Sequence, residues 1–216
     1  MASPAVVRRL GKPAVFLAAL LPALLLVADT LRDRLGANPI ETITHRTGWW
    51  ALTLLLVALA VTPLRRVTGW NGVARYRRML GLFAFTYVVL HFLTYLVLDQ
   101  FFAWSFIVED VMDRPYITVG FTTFVLLIPL AVTSTRGWIR RLGPRWQRLH
   151  RLAYVAAAGG VFHFLWLVKA DTREPVLFGV ALVTLLALRL RRRPRRAAAR
   201  APAAPARSSK PVEAAS

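Results

Sequence analysis

His91 and His163 lie inside apolar stretches, residues 80–98 and 152–168, that carry almost no other polar group able to titrate. An imidazole is costly to bury in hydrocarbon unless something binds it, and it is a common axial ligand of haem iron. Two of them facing each other at one depth would clasp a haem between two helices. The remaining histidines have different settings. His150 stands between Arg148 and Arg151, at the mouth of the stretch that holds His163. It reads either as a hydrogen-bonded interfacial residue or as a further ligand, alone or with a non-histidine partner. His45, in Thr44-His-Arg-Thr-Gly, reads by default as a surface residue, with proton exchange at a quinone site as the sharper alternative. The chain has no cysteine, which excludes thiolate metal sites, iron–sulfur clusters and covalently attached haem.

The elements that must position these residues follow from the hydropathy pattern. Of 216 residues, 56% are hydrophobic, gathered in blocks at 14–31, 48–64, 80–98, 117–132, 152–168 and 176–188. A helix needs about 20 residues to cross a hydrocarbon core of ~30 Å, with about 17 as the lower limit. The expectation is an all-α integral membrane protein, a bundle of six transmembrane helices. Its last helix is the shortest. Basic residues occupy alternate connections, around Arg8, Arg65, Arg75, Arg136 and Arg148 and after Arg189. Acidic residues occupy the others, from Asp29 to Glu41, from Asp99 to Asp113, and at Asp171 and Glu174. By the positive-inside rule the N- and C-termini are cytoplasmic. That alternation accounts for the net charge of +19 without a nucleic-acid partner.

Depth then relates the two buried histidines. His91 follows Arg78 by 13 residues, roughly 20 Å of helix. His163 follows Arg151 by 12 residues, roughly 18 Å. Both helices leave the basic side, so the rings reach similar depth. Along a continuous fifth helix, His150 and His163 would not share a face unless Gly159-Gly160 kinked it.

Three regions are expected: a basic cytoplasmic lead over 1–12, a transmembrane haem domain over 13–191, and a disordered Ala/Pro/Arg tail over 192–216. Electrostatic association with anionic lipid is the simplest role for the tail. No internal repeat suggests an inverted-repeat transporter, and no Gly-rich phosphate loop occurs. Residues 99–116 combine Phe101, Phe102, Trp104 and Phe106 with Glu109, Asp110 and Asp113. That mixture reads as an amphipathic interfacial anchor, or as a docking surface for an external partner. Thr133, Ser134 and Thr135 read as helix-end caps. Arg75, Arg77, Arg78, Arg140, Arg141 and Arg145 read as topology-setting charge, or as partners for haem propionates or a flavin phosphate. Trp146 and Trp166 read as packing for a porphyrin or as interfacial residues.

Several motifs in order resemble the MsrQ (YedZ) family. They are Thr62-Pro-Leu-Arg-Arg, Arg78-Met-Leu-Gly-Leu-Phe-Ala-Phe-Thr-Tyr-Val-Val-Leu-His91 and Arg114-Pro-Tyr-Ile-Thr-Val-Gly. Further along stand Leu130-Ala-Val-Thr-Ser-Thr, Leu142-Gly-Pro-Arg-Trp-Gln-Arg-Leu-His150-Arg-Leu-Ala-Tyr and His163-Phe-Leu-Trp-Leu-Val-Lys169. The likeness spans roughly residues 15–190. It implies a six-helix domain of the ferric-reductase-like transmembrane superfamily, with b-type haem, in the bacterial inner membrane. It implies electrons taken from the quinol pool or a cytoplasmic flavin reductase. Their destination would be a periplasmic molybdopterin subunit that reduces methionine sulfoxide in oxidised proteins. His91 and His163 match the family's haem-ligand positions, and His150 matches a further histidine implicated there. FMN is also attributed to the family. Helix three has no second histidine, unlike the four-histidine, two-haem pattern of related oxidases.

The expected function is therefore a membrane cytochrome b, with sulfoxide chemistry in a partner subunit. A free-standing ferric or quinone reductase is the alternative, and a cofactor-free transporter or scaffold is the reading from another class.

Overall fold

A computed structural model describes residues 4–190, with side chains from residue 10 onward. Among the described residues the chain is helical, without a strand. The long helices are α1 (Pro4–Leu31), α2 (Pro39–Thr68), α3 (Arg77–Leu93), α5 (Pro115–Val132), α8 (Leu152–Leu167) and α9 (Arg173–Leu190). Between them lie α4 (Trp104–Asp113), α6 (Arg136–Leu142) and α7 (Pro144–Leu149). A 3-10 turn, Asn71–Tyr76, leads into α3, and a π-helical segment, Thr94–Asp99, leads out of it. The expected tail over 192–216 lies outside the described residues, and α1 takes up residues 4–12 of the basic lead.

Among the described residues four helices are long and apolar enough to cross a membrane: Leu10–Leu31, Pro39–Thr68, Asn71–Asp99 and Pro115–Val132. The sequence predicts six. The other two are α8, with 16 residues, and α9, whose 18 residues begin at Arg173-Glu174 and include Arg189. Shortness in one and terminal charge in the other keep them below that standard.

Local chemistry sets the ends. Asn38 caps α2 by accepting from the Glu41 N–H at 3.3 Å, and Pro39 supplies the first helical residue. Gly69 closes the same helix at φ 72°, its N–H donating to Arg65 O at 3.0 Å. Pro115 opens α5 as its position predicts.

The centre of the bundle is α2, which packs most extensively on α3, while α5 packs most extensively on α8. Leu52, Leu55 and Leu59 of α2 are buried, as are Ala84 and Tyr87 of α3 and Leu127 of α5. Ala156 and Ala157 of α8 are wholly enclosed. Small side chains there let helix backbones approach closely, the usual basis of packing in lipid. Outward faces are apolar too: Leu17, Leu24, Val57, Phe121, Phe162 and Val183 are exposed. Such a shell would be unfavourable in water and is at home in hydrocarbon.

Tyr87 joins α1 to this centre. Its hydroxyl donates to Ala19 O at 3.0 Å and accepts from the Ala23 N–H at 2.9 Å. Those backbone groups are an i, i+4 pair beside Pro22, which has no N–H to give to the α1 ladder. Tyr87→Phe removes their shared partner without changing ring volume. The expected loss is roughly 1–3 kcal/mol, read as a lower unfolding midpoint in detergent and faster amide exchange in residues 10–31. An unchanged midpoint and exchange pattern would show that the α1 ladder closes without the phenol.

The connection between α3 and α5 forms an amphipathic helix. Phe101 and Phe102 reverse the chain with φ of 48° and 59°, and α4 follows. Trp104, Phe106, Val108 and Met112 are exposed on α4. The acidic run does not act as one patch. Glu109 and Asp113 point outward, whereas Asp110 turns in and accepts from Gln100 Nε2 at 2.8 Å and Tyr95 OH at 3.2 Å. Arg114 Nε lies 3.2 Å from its other oxygen. Tyr95 stands one turn beyond His91, so Asp110 anchors α4 to the end of the helix that carries that histidine.

Candidate functional site

The α2–α3 and α5–α8 pairs bring the His91 and His163 rings together edge to face. Their ring centroids are 6.2 Å apart and their planes are inclined at 81°. The juxtaposition expected from matching depths is thus present. Each ring is held by a backbone carbonyl of the neighbouring helix. His91 Nδ1 lies 2.9 Å from Thr44 O, and His163 Nδ1 lies 2.7 Å from Tyr116 O. A carbonyl can only accept, so Nδ1 carries the proton in both rings. Nε2 is left with its lone pair, and it enters no hydrogen bond among the described residues.

The two arrangements are copies. In each, 47 positions separate the carbonyl residue from its histidine. In each, a glycine four residues after the carbonyl lies under the ring. A Cβ at Gly48 would come within 3.1 Å of His91 Cε1 and Nδ1, and one at Gly120 within 2.8 Å of the same atoms of His163. Thr44, Gly48 and His91 thus map onto Tyr116, Gly120 and His163 at a constant offset of 72 positions. The carbonyl-bearing helices α2 and α5 run one way and the histidine-bearing helices α3 and α8 the other. The repeat is therefore a parallel duplication of a helical hairpin. The sequence carries part of it, since His91-Phe92-Leu93 and His163-Phe164-Leu165 coincide at that offset, whereas the carbonyls can belong to any residue type. Gly48 and Gly120 are the functional positions that the sequence reading missed; aligning the chain with itself at that offset would have found them.

Aromatic side chains of α3 and α5 flank the pair. Phe92 stacks on Phe124 with centroids 4.7 Å apart, and Phe85 lies 6.3 Å from Phe124. They form an apolar, polarisable cluster between the two helices.

His150 is not brought to this pair. The chain turns at His150–Arg151 between α7 and α8, so His150 and His163 do not belong to one continuous helix. The expected correction by a kink at Gly159-Gly160 is not needed. Those glycines instead permit close packing: a Cβ at Gly159 would collide with the Thr123 hydroxyl, and one at Gly160 would lie 3.3 Å from Leu52. His150 Nε2 lies 3.1 Å from Thr133 Oγ1, and its ring stacks on Trp146 at 3.9 Å. Thr133 Oγ1 donates to Pro129 O at 2.6 Å, and Trp146 Nε1 donates to Thr133 O at 2.9 Å. Burial, and then the charge of Arg77, push the His150 imidazole below its usual range, which favours the neutral ring. A neutral ring whose Nε2 and one face already have partners matches the interfacial reading. Of the other expected caps, Ser134 Oγ donates to Leu130 O at 2.7 Å and Thr135 Oγ1 accepts from the Trp138 N–H at 3.3 Å.

Trp166 is exposed and packs on Phe162 with centroids 5.1 Å apart, away from the histidines. His45 is a surface residue of α2, its Nε2 4.0 Å from Glu41 Oε1 in an open cleft with Thr42 and Arg46.

Comparison with known proteins bears on what such a pair serves. The family described as ferric reductase like transmembrane component matches residues 47–161. Those residues take in α2 from Thr47 onward and all of α3 with His91, and end two positions before His163. The haem-binding subunit MsrQ of protein-methionine-sulfoxide reductase from Herminiimonas arsenicoxydans is 54% identical over 83% of this chain and 84% of its own length. The chain belongs to the MsrQ family. The MsrQ subunit from Rhodospirillum rubrum is 55% identical over 84% of the chain and 88% of its own length. That from Xanthomonas axonopodis pv. citri is 51% identical, over 83% and 85%. Membership, with four apolar helices of spanning length, makes the chain a membrane protein.

Proposed function

We propose that the chain is the membrane cytochrome b of a methionine sulfoxide reductase system, with His91 and His163 as the axial ligands of one haem. The facing pair of carbonyl-held histidines carries this reading. An imidazole nitrogen binds a transition metal at about 2 Å, so two rings that shared one iron would have centroids roughly 6 Å apart. The separation of 6.2 Å fits that arrangement, and so does the tautomer that leaves Nε2 as donor to the metal. The relatives' names specify haem binding.

In this reading the haem supplies one-electron chemistry at iron, while the protein sets its surroundings. Thr44 O and Tyr116 O hold the Nδ1 protons, which fixes ring orientation and strengthens Nε2 as a base. Gly48 and Gly120 let α2 and α5 approach the rings. The Phe85–Phe92–Phe124 cluster joins α3, which carries His91, to α5, which carries Tyr116 and Gly120. His150 serves the basic end structurally, through Thr133 and Trp146.

The chain spans the bacterial inner membrane six times, α8 and α9 completing the bundle, with both termini and the 192–216 tail on the cytoplasmic, basic side. Electrons enter from the quinol pool or a cytoplasmic flavin reductase. They leave at the acidic end toward a periplasmic molybdopterin reductase subunit, where each sulfoxide takes two electrons and two protons to give methionine and water.

Proteoliposomes test this reading. Protein oriented with its basic end outward, supplied with a quinol, should reduce methionine sulfoxide only when the molybdopterin subunit is enclosed in the lumen. Ferric chelate reduction at full rate without that subunit, and no sulfoxide turnover with it, would favour the free-standing ferric reductase instead.

A further inference from the structure

At the basic end, α6 and α7 meet at Gly143, whose φ of 49° turns the chain sharply between Leu142 and Pro144. The turn folds the two helices around a cleft of about 450 Å³ lined by Arg140, Arg141, Arg145 and Arg148 with Gly143 and Pro144. All four arginines are exposed, and none forms an ion pair with a carboxylate among the described residues. Among the described residues every acidic side chain, from Asp29 to Glu174, belongs to a segment other than α6 and α7. Arg141 lies over the Trp138 ring at 5.3 Å, which places the cleft beside an aromatic residue suited to the membrane–water boundary.

Topology requires positive charge on this side, but not four guanidinium groups around one cavity. Arginine's planar fork suits phosphate oxygens in particular. Basic clefts at the ends of membrane helices are suited to phospholipid headgroups. We infer that the α6–α7 cleft binds phosphate groups, and that its occupant is the headgroup of an anionic phospholipid, with a diphosphate lipid best matched to four arginines. Such a lipid would supply the counter-charge that α6 and α7 lack and fix them against the bilayer. The inference is independent of the haem assignment.

The full chain in nanodiscs tests it. Fluorescent cardiolipin in a phosphatidylcholine background should bind saturably, and Arg140→Gln/Arg145→Gln should weaken binding roughly tenfold or more. Arg65→Gln/Arg78→Gln removes the same charge from exposed positions on the same face and should leave binding within about twofold. Arg140→Lys/Arg145→Lys, which keeps charge and folding demands, should give an intermediate loss. Soluble pyrophosphate distinguishes the sources of phosphate. If it competes only weakly with cardiolipin, the lipid is the occupant. If it binds saturably while cardiolipin does not, the phosphate site stands and the lipid assignment is overturned. Equal loss in both Gln pairs, or no saturable binding of either probe, would overturn the inference altogether.

Discussion

Gly120→Val should strip the protein of most of its haem while leaving the helices in place. A single Cβ at this position already reaches within 2.8 Å of the His163 ring, and valine adds two further carbons there. The ring must swing off Tyr116 O or α5 must move away from α8. Overpacking of this kind costs about 1–3 kcal/mol, and displacement of a ring proposed to hold the haem adds to it. Haem retained per protein should fall roughly tenfold or more, with unchanged helical circular dichroism. The duplication predicts an order as well. Gly48→Ala, whose Cβ would meet His91 at 3.1 Å, should be milder than Gly120→Ala. Full haem retention in Gly120→Val would mean that His163 does not hold the haem in the position described.

Asp110→Ala should free the α4 segment. The carboxylate is the common acceptor of Tyr95 and Gln100 and the partner of Arg114, with its side chain 12% exposed. Arg114 is itself largely exposed, so that ion pair contributes little. The main loss is the acceptor for the two side chains on the α3 side, roughly 1–3 kcal/mol. Chymotrypsin should then cut near Phe101–Phe106 several times faster than in the parent protein. Asp110→Asn, which keeps one acceptor oxygen, should fall between them. Equal cleavage rates in all three would show that α4 is held by its apolar contacts alone.

Much of this site is legible in the sequence because a helix converts residue number into depth. Thirteen residues past Arg78 and twelve past Arg151 bring His91 and His163 to one level, and their rings do meet. What holds the rings is not legible. Thr44 and Tyr116 act through backbone oxygens, which no residue type signals, and Gly48 and Gly120 look like ordinary helix glycines until their partners are known. His150 illustrates another limit. A continuous fifth helix is the natural reading of its surroundings, but Pro144 starts a short separate helix and the chain turns at His150–Arg151. The double glycine, which resembles a kink, is used for contact with Thr123 and Leu52. The acidic run misleads in a similar way. Its charges look equivalent in order, yet only Asp110 finds buried donors, because it alone faces Tyr95 and Gln100 on the helical wheel of α4.

The most direct test of bis-histidine ligation is the electron paramagnetic resonance spectrum of the oxidised protein, measured alongside its haem content. With His91 and His163 as ligands and their ring planes at 81°, the parent protein should give a strongly anisotropic low-spin ferric signal. His91→Ala and His163→Ala should each lose that signal, by turning high-spin or by failing to retain haem, while His150→Gln should keep it. The same low-spin signal in either alanine variant, at parental haem content, would contradict the assignment.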